Sequence, residues 1–191
     1  MTDQELVDQI SKGSEKAFRL LVEEHQLMVF RTCLGFVQNR DDAEDLAQEI
    51  FVEVYHALQQ FRGDSKLSTW IYRIAVNRSL NFIRNNKRRR FFQSIGLRFQ
   101  GDTNRDVEDE SWRSRPDQEV ENDQKRARLK QAINSLPERQ RVAFTLSKLD
   151  DLSYQDIAEV MGLSISSVES LIHRAKLGLQ KKLYAWYKNG G

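Results

Sequence analysis

Leu152-Ser153-Tyr154-Gln155-Asp156-Ile157-Ala158-Glu159-Val160-Met161-Gly162-Leu163-Ser164-Ile165-Ser166-Ser167-Val168-Glu169-Ser170-Leu171-Ile172-His173-Arg174-Ala175-Lys176 reads as a short helix, a glycine turn and a second helix. Ser153 suits the N-cap of the first helix, and Asp156 stands three residues on, where it can reach back to a free amide. Ile157, Ala158 and Met161 repeat at helical spacing. Gly162 supplies the turn, Leu163 returns to the core and Ser164 caps the second helix. Val168, Ile172 and Ala175 then share one face. Ser166, Ser167, Glu169, Ser170, His173 and Arg174 face outward. Small hydroxyls with one arginine and one histidine allow close approach to base edges and phosphates. The stretch is a helix-turn-helix, and duplex DNA is the partner it suits.

Outside this stretch, composition narrows the class. The chain has 191 residues, 30% charged and 39% hydrophobic, with 9 glycines and 2 prolines, which favours helix over sheet. Its single cysteine, Cys33, lies in an apolar run and cannot form an internal disulfide. Neither Cys-x-x-Cys nor His-x-x-x-His spacing occurs, so no metal site or cofactor is expected. The opening Met1-Thr2-Asp3-Gln4-Glu5 lacks the pattern of a secretory signal. No apolar stretch approaches ~18 residues. A cytoplasmic protein without membrane insertion is expected.

The net charge of +2 conceals segregation. Residues 61–98 hold ten Lys/Arg against one acid, and 102–123 hold nine Asp/Glu against three arginines. Residues 171–191 hold five Lys/Arg and no acid. Nucleic acid responds to such local patches rather than to the net value.

Periodicity predicts an all-α chain of two small helical domains, the second containing the helix-turn-helix. Residues 1–95 form the first, 96–122 a flexible acidic linker, and 123–191 the second. In the first, Thr2 to Lys12 reads as a short helix. Ser14 caps a long one whose shared face is Phe18, Leu21, His25, Met28, Thr32 and Phe36. Asp41 starts the next, with Glu44 at the capping-box position and Leu46, Ile50, Val54 and Leu58 buried. Residues 61–66 break the pattern as a loop. A further helix runs from about Ser68 to Asn85 and ends in Lys87-Arg88-Arg89-Arg90. Apolar periodicity disappears from about Gln100 to Asn122. Such a tether reaches ~25–30 Å on average. The second block begins near Asp123, with Leu129, Ala132, Ile133 and Leu136 on one face.

The helix after the loop carries Trp70, Arg73, Asn77, Asn81 and Arg84 on its wet side at spacings of three and four. An exposed tryptophan among arginines and asparagines suits stacked, single-stranded bases. The alternative is that Trp70 folds into the core and the arginines are solvated. The neighbouring Arg88–Arg90 run favours nucleic acid. The preceding helix exposes Asp45, Gln48, Glu49 and Glu53, which suit a solvated face or a basic protein partner rather than DNA. The carboxylates from Asp41 to Asp45 also raise a metal-dependent nuclease. However, capping employs Asp41 and Glu44, and no histidine or lysine is placed for acid–base work, so no catalytic residue is expected. A stand-alone helix-turn-helix regulator would carry a sensor domain where residues 1–95 look like a second nucleic-acid module.

Asp42-Ala43-Glu44-Asp45-Leu46-Ala47-Gln48-Glu49-Ile50-Phe51, then Phe61-Arg62-Gly63, then Leu67-Ser68-Thr69-Trp70-Ile71-Tyr72-Arg73-Ile74-Ala75-Val76-Asn77 closely resemble the extracytoplasmic-function sigma factors of bacterial RNA polymerase. Leu136-Pro137-Glu138-Arg139-Gln140-Arg141 resembles the start of their second domain. The resemblance implies that Asp45, Gln48 and Glu49 dock on the core enzyme. It implies that Phe61, Arg62, Lys66, Trp70, Arg73 and Asn77 melt the upstream promoter element and hold a flipped base. Ser166, Ser167, Glu169, Ser170, His173 and Arg174 would read the distal element in duplex DNA. The acidic linker would thread the RNA-exit path. Glu169 and Leu171 depart from the basic residues the family often has there. An anti-sigma factor and a stress or envelope-signal regulon are further implications.

Overall fold

The computed structural model describes residues 2–99, 117–148 and 152–188, and the side chains of these except 90–99, 117–123 and 187. All regular structure among them is helical: α1 (Asp3–Ser11), α2 (Glu15–Val37), α3 (Arg40–Ala57), α4 (Leu67–Phe99), α5 (Asp117–Asn134), α6 (Glu138–Lys148), α7 (Tyr154–Met161) and α8 (Ile165–Lys188). A 3₁₀ turn, Leu58–Gln60, follows α3.

Helices α1–α4 form one unit. Leu6, Val7 and Ile10 of α1 join Leu21, Val29 and Cys33 of α2, Leu46, Ile50 and Val54 of α3, and Leu67, Ile71 and Ala75 of α4. The expected faces of α2 and α3 are the buried ones. His25 is buried among them, and loss of solvation lowers its pKa against the opposing pull of Glu24 and Asp3. Helices α5–α8 form the second unit. Val142, Leu146, Ile157, Val168 and Ile172 are buried in one cluster, and Ala132, Leu136, Ala175 and Leu179 in another.

Local signals fix most helix starts. Thr2 and Glu5 form a full capping box on α1, and Ser14 accepts from the Ala17 amide. The start of α3 differs from expectation. Asn39, not Asp41, is its N-cap, its Oδ1 accepting from the Asp42 amide at 3.0 Å. Glu44 then has no cap to complete and pairs with Arg40 one turn back. On α7, Ser153 accepts from the Asp156 amide at 3.1 Å. The Asp156 carboxylate takes the Ser153 hydroxyl rather than a free amide.

Helix α4 does not stop near Asn85 but continues to Phe99. Lysine and arginine are good helix formers, so the run at 87–90 is no terminator. Helix α5 begins at Asp117, inside the expected linker, whose acids suit a helix start. Of the expected linker 96–122, residues 100–116 lie outside the described residues, and the flanks are helical. Leu129, expected on the buried face of α5, is 43% exposed.

The corrected α3 cap makes a prediction. Asn39→Ala should lower unfolding free energy by about 1 kcal/mol, whereas Asp41→Ala should change it by less than ~0.5 kcal/mol. Urea titration of the two variants measures the difference.

Candidate nucleic-acid and polymerase interfaces

The loop between the 3₁₀ turn and α4 is anchored rather than free. Phe61, expected to meet DNA, is only 8% exposed and lies in the first core. Its ring meets Trp70 edge-on, with centroids 5.6 Å apart. Trp70 is therefore half-buried against the core instead of standing in water, midway between the two sequence readings. Gly63 turns the loop with φ +76°. Arg62 and Lys66 are exposed on either side of it, and Asn77 and Asn81 are exposed farther along α4.

Arg73 and Arg84, also expected in water, reach across to the second unit. Arg73 donates through Nε (3.2 Å) and Nη2 (2.7 Å) to the Glu159 carbonyl at the end of α7. Arg84 makes a two-pronged ion pair with Glu138 at the start of α6 and touches Asn81. Between them, Val76 and Leu80 are buried in one cluster with Val142, Leu146, Ile157 and Val160. At the other end of the contact, Lys130 and Asn134 of α5 donate to the carbonyl and side-chain oxygens of Gln38. Gln38 ends α2 in a left-handed conformation, φ 58°. No local pattern signals these cross-unit contacts, which join residues 54 to 96 positions apart.

Asp45, Gln48 and Glu49 are all exposed on α3, as expected, and Val52 continues their strip with 59% exposure. Arg78 of α4 pairs with Glu49 (3.2 Å) and Glu53 (2.8 Å). One cation of the basic block thus serves this acidic face, a role that charge counting along the chain could not separate from DNA binding.

The helix-turn-helix has the local geometry its sequence suggests. Gly162 is left-handed at φ 62°, and its own amide and that of Leu163 close α7 on the Glu159 and Ala158 carbonyls. Ser164 Oγ accepts from the Ser167 amide and lies 3.1 and 2.8 Å from the Ser166 and Ser167 hydroxyls. Ser167 is half-buried in this cluster, whereas Ser166, Glu169, Ser170, His173 and Arg174 are exposed. Ser170 and Arg174 each bond a carbonyl one turn back, Ser166 and Ser170 respectively. Ile165 adds an exposed apolar side chain at the helix start.

Among the described residues no three His, Cys, Asp or Glu side chains come together to hold a metal ion, and no helix is long and apolar enough to cross a membrane.

Residues 21–89 match the family model for sigma-70 region 2, and residues 126–179 that for sigma-70 region 4. The chain is 37% identical over 186 residues to an RNA polymerase sigma-H factor of Pseudomonas aeruginosa, covering 95% of this chain and 93% of that protein. It is 36% identical over 191 residues to the ECF RNA polymerase sigma-E factor of Escherichia coli, covering 96% and 95%. Among solved structures, CnrH in complex with the cytosolic domain of CnrY matches with TM-score 0.65 and 25% identity, covering 96% of this chain and 97% of that one. The sigma factor RpoE of Bartonella quintana, in complex with the anti-sigma factor NepR, shares the fold at TM-score 0.60 and 24% identity, covering 88% and 98%.

The Arg84–Glu138 pair is 55% and 42% exposed, so solvent screens it to at most ~1 kcal/mol. Burial of apolar side chains such as Leu80 is worth ~1.5–3 kcal/mol each and decides the contact. Leu80→Glu should therefore separate the units, seen as a larger radius of gyration in X-ray scattering with helical content kept. Arg84→Ala should shift the same equilibrium by no more than about fivefold.

Proposed function

The chain belongs to the extracytoplasmic-function sigma factors, which direct bacterial RNA polymerase to promoters, and on that premise we propose how its surfaces divide the work. The exposed α3 strip of Asp45, Gln48 and Glu49 docks on core polymerase. Carboxylates repel DNA phosphates, while Val52 offers an apolar contact beside them. Glu49 is pre-oriented by Arg78, which limits the side-chain freedom lost on docking.

The loop 61–66 and the α4 face open and hold the upstream promoter element. The observation that carries this reading is a half-buried Trp70 held edge-on by Phe61, with exposed Arg62 and Lys66 beside it and Asn77 and Asn81 beyond. Phe61 then acts by fixing Trp70 rather than by touching DNA. A ring fixed on one edge keeps a free surface for stacking and loses little entropy when a base arrives. Asparagines present paired donors and acceptors for a base edge, and the cations meet phosphates.

In the second unit, α8 reads duplex DNA in the major groove through Ser166, Glu169, Ser170, His173 and Arg174, with Ser167 shaping the helix start. Arg174 must leave the Ser170 carbonyl to reach a base or phosphate. Glu169 opposes phosphate and favours an exposed cytosine amino group.

Promoter engagement exchanges intramolecular contacts for DNA contacts. Arg73 and Arg84 are committed to Glu159 and Glu138 in the free chain, so the units part before these arginines meet phosphates. An anti-sigma factor that bound both units together would preserve the closed arrangement and keep the protein silent until a stress or envelope signal. The protein acts in the cytoplasm, where the polymerase is, and contributes no bond-making chemistry of its own.

Two results test this division. Asp45→Lys with Glu49→Lys should abolish capture of core polymerase in a pull-down, with the circular-dichroism spectrum unchanged. Trp70→Ala should slow open-complex formation about tenfold or more, read as permanganate reactivity of promoter thymines. Melting at the wild-type rate would remove Trp70 from the strand-capture surface.

A further inference from the structure

Helix α4 begins at Leu67, and its first amides need acceptors. The preceding residue, Lys66, has no side-chain acceptor to offer. The acceptor comes instead from the far end of the chain, where Asp3 Oδ2 takes the Leu67 amide at 2.8 Å across 64 residues. Asp3 is itself held in the first turn of α1 by the Thr2–Glu5 capping box. Leu6, Val7 and Ile10 seat α1 in the same core as Leu58, Phe61 and Leu67. Gln4 lies close enough to the loop that a Cβ added at Gly63 would stand 3.3 Å from its Oε1. Helix α1 thus touches the loop at its turn and at its exit.

We infer that Asp3 is a positioning residue for strand capture: from α1 it fixes the start of α4, and with it the register in which Arg62, Lys66 and Trp70 meet the melted DNA. This rests on the proposed role of the loop. The physical reason is directional. A carboxylate accepting from a first-turn amide gives a charge-assisted bond at the positive end of the α4 dipole. Without it, the 61–66 segment keeps its Phe61 anchor but loses the constraint at its other end. Trp70 lies one turn beyond that end, so a small rotation of the first turn moves its ring.

The test uses full-length protein in holoenzyme with core polymerase. The probe is a fluorescein-labelled single strand of about 12 nucleotides selected from a random pool by wild-type holoenzyme. Affinity for this probe, and for versions with each base changed in turn, is compared with affinity for core. Asp3→Ala should weaken probe binding about fivefold, flatten the preference among bases, and leave core affinity unchanged. Asp3→Asn keeps an acceptor oxygen and should restore the base preference. Equal loss in both variants, or a loss of core affinity that matches the loss of probe affinity, would overturn the positioning role in favour of a general contribution to folding. Wild-type probe affinity and preference in Asp3→Ala would overturn it alone if Trp70→Ala and Lys66→Ala still weaken binding. If those two variants and Asp3→Ala all bind like wild type, the loop reading and the inference built on it fall together.

Discussion

Helix α4 must satisfy three demands with one sequence. Ile71 and Ala75 pack into the first unit, Val76 and Leu80 into the second, and Asn77 and Asn81 remain in water. With 3.6 residues per turn, no residue can change its face without moving its neighbours. The rest of the molecule depends on this division. The first core fixes the helix, Asp3 of α1 holds its start, and the second unit covers the flank that holds the arginines. Apolar burial supplies the strength of the closed contact, because the exposed ion pair is worth too little to hold it alone.

The polar contacts across the units set orientation instead. Two of them place a cation at the C-terminal end of a helix, Arg73 on α7 and Lys130 on α2. Carbonyls in a last turn lack the i+4 amide and carry the negative end of the dipole, so the Glu159 carbonyl accepts from Arg73 beside its long bond from the Gly162 amide. Phosphate oxygens satisfy the same side chains in the same way. In the proposed mechanism Arg73 would exchange its carbonyl partner for a phosphate, and Arg84 its carboxylate partner, when the promoter is engaged. It also resolves the charge segregation, since part of the basic block has protein partners: Arg78 the α3 acids, Arg84 the start of α6.

The helix-turn-helix was legible residue by residue, because Ser153, Gly162 and Ser164 act over a few positions and need no distant partner. The buried stripes of α2 and α3 were legible for the same reason. Where two local solutions are nearly equivalent, local signals do not choose between them. Asn39 and Asp41 are both good caps, and only the backbone shows which is used. The helical extensions of α4 and α5 escaped because stretches poor in apolar periodicity can still be rich in helix formers. The burial of Phe61 and the half-burial of Trp70 escape for a different reason: both rings pack on the first core and on each other, which periodicity within α4 cannot reveal. The exposed strip on α3 and the outward face of α8, Ser167 apart, lie where periodicity predicts, whereas the engagement of Arg73, Arg78 and Arg84 with protein groups is a product of tertiary packing.

In the proposed mechanism one flank of α4 faces the second unit in the free chain and melted DNA during initiation. A photocrosslinking amino acid at position 73 tests it directly, with the products mapped for the free protein and for the open complex. Crosslinks to the end of α7 in the free chain should be replaced by crosslinks to the single-stranded upstream element in the open complex. Crosslinks that stay on α7 after the promoter has opened would contradict it.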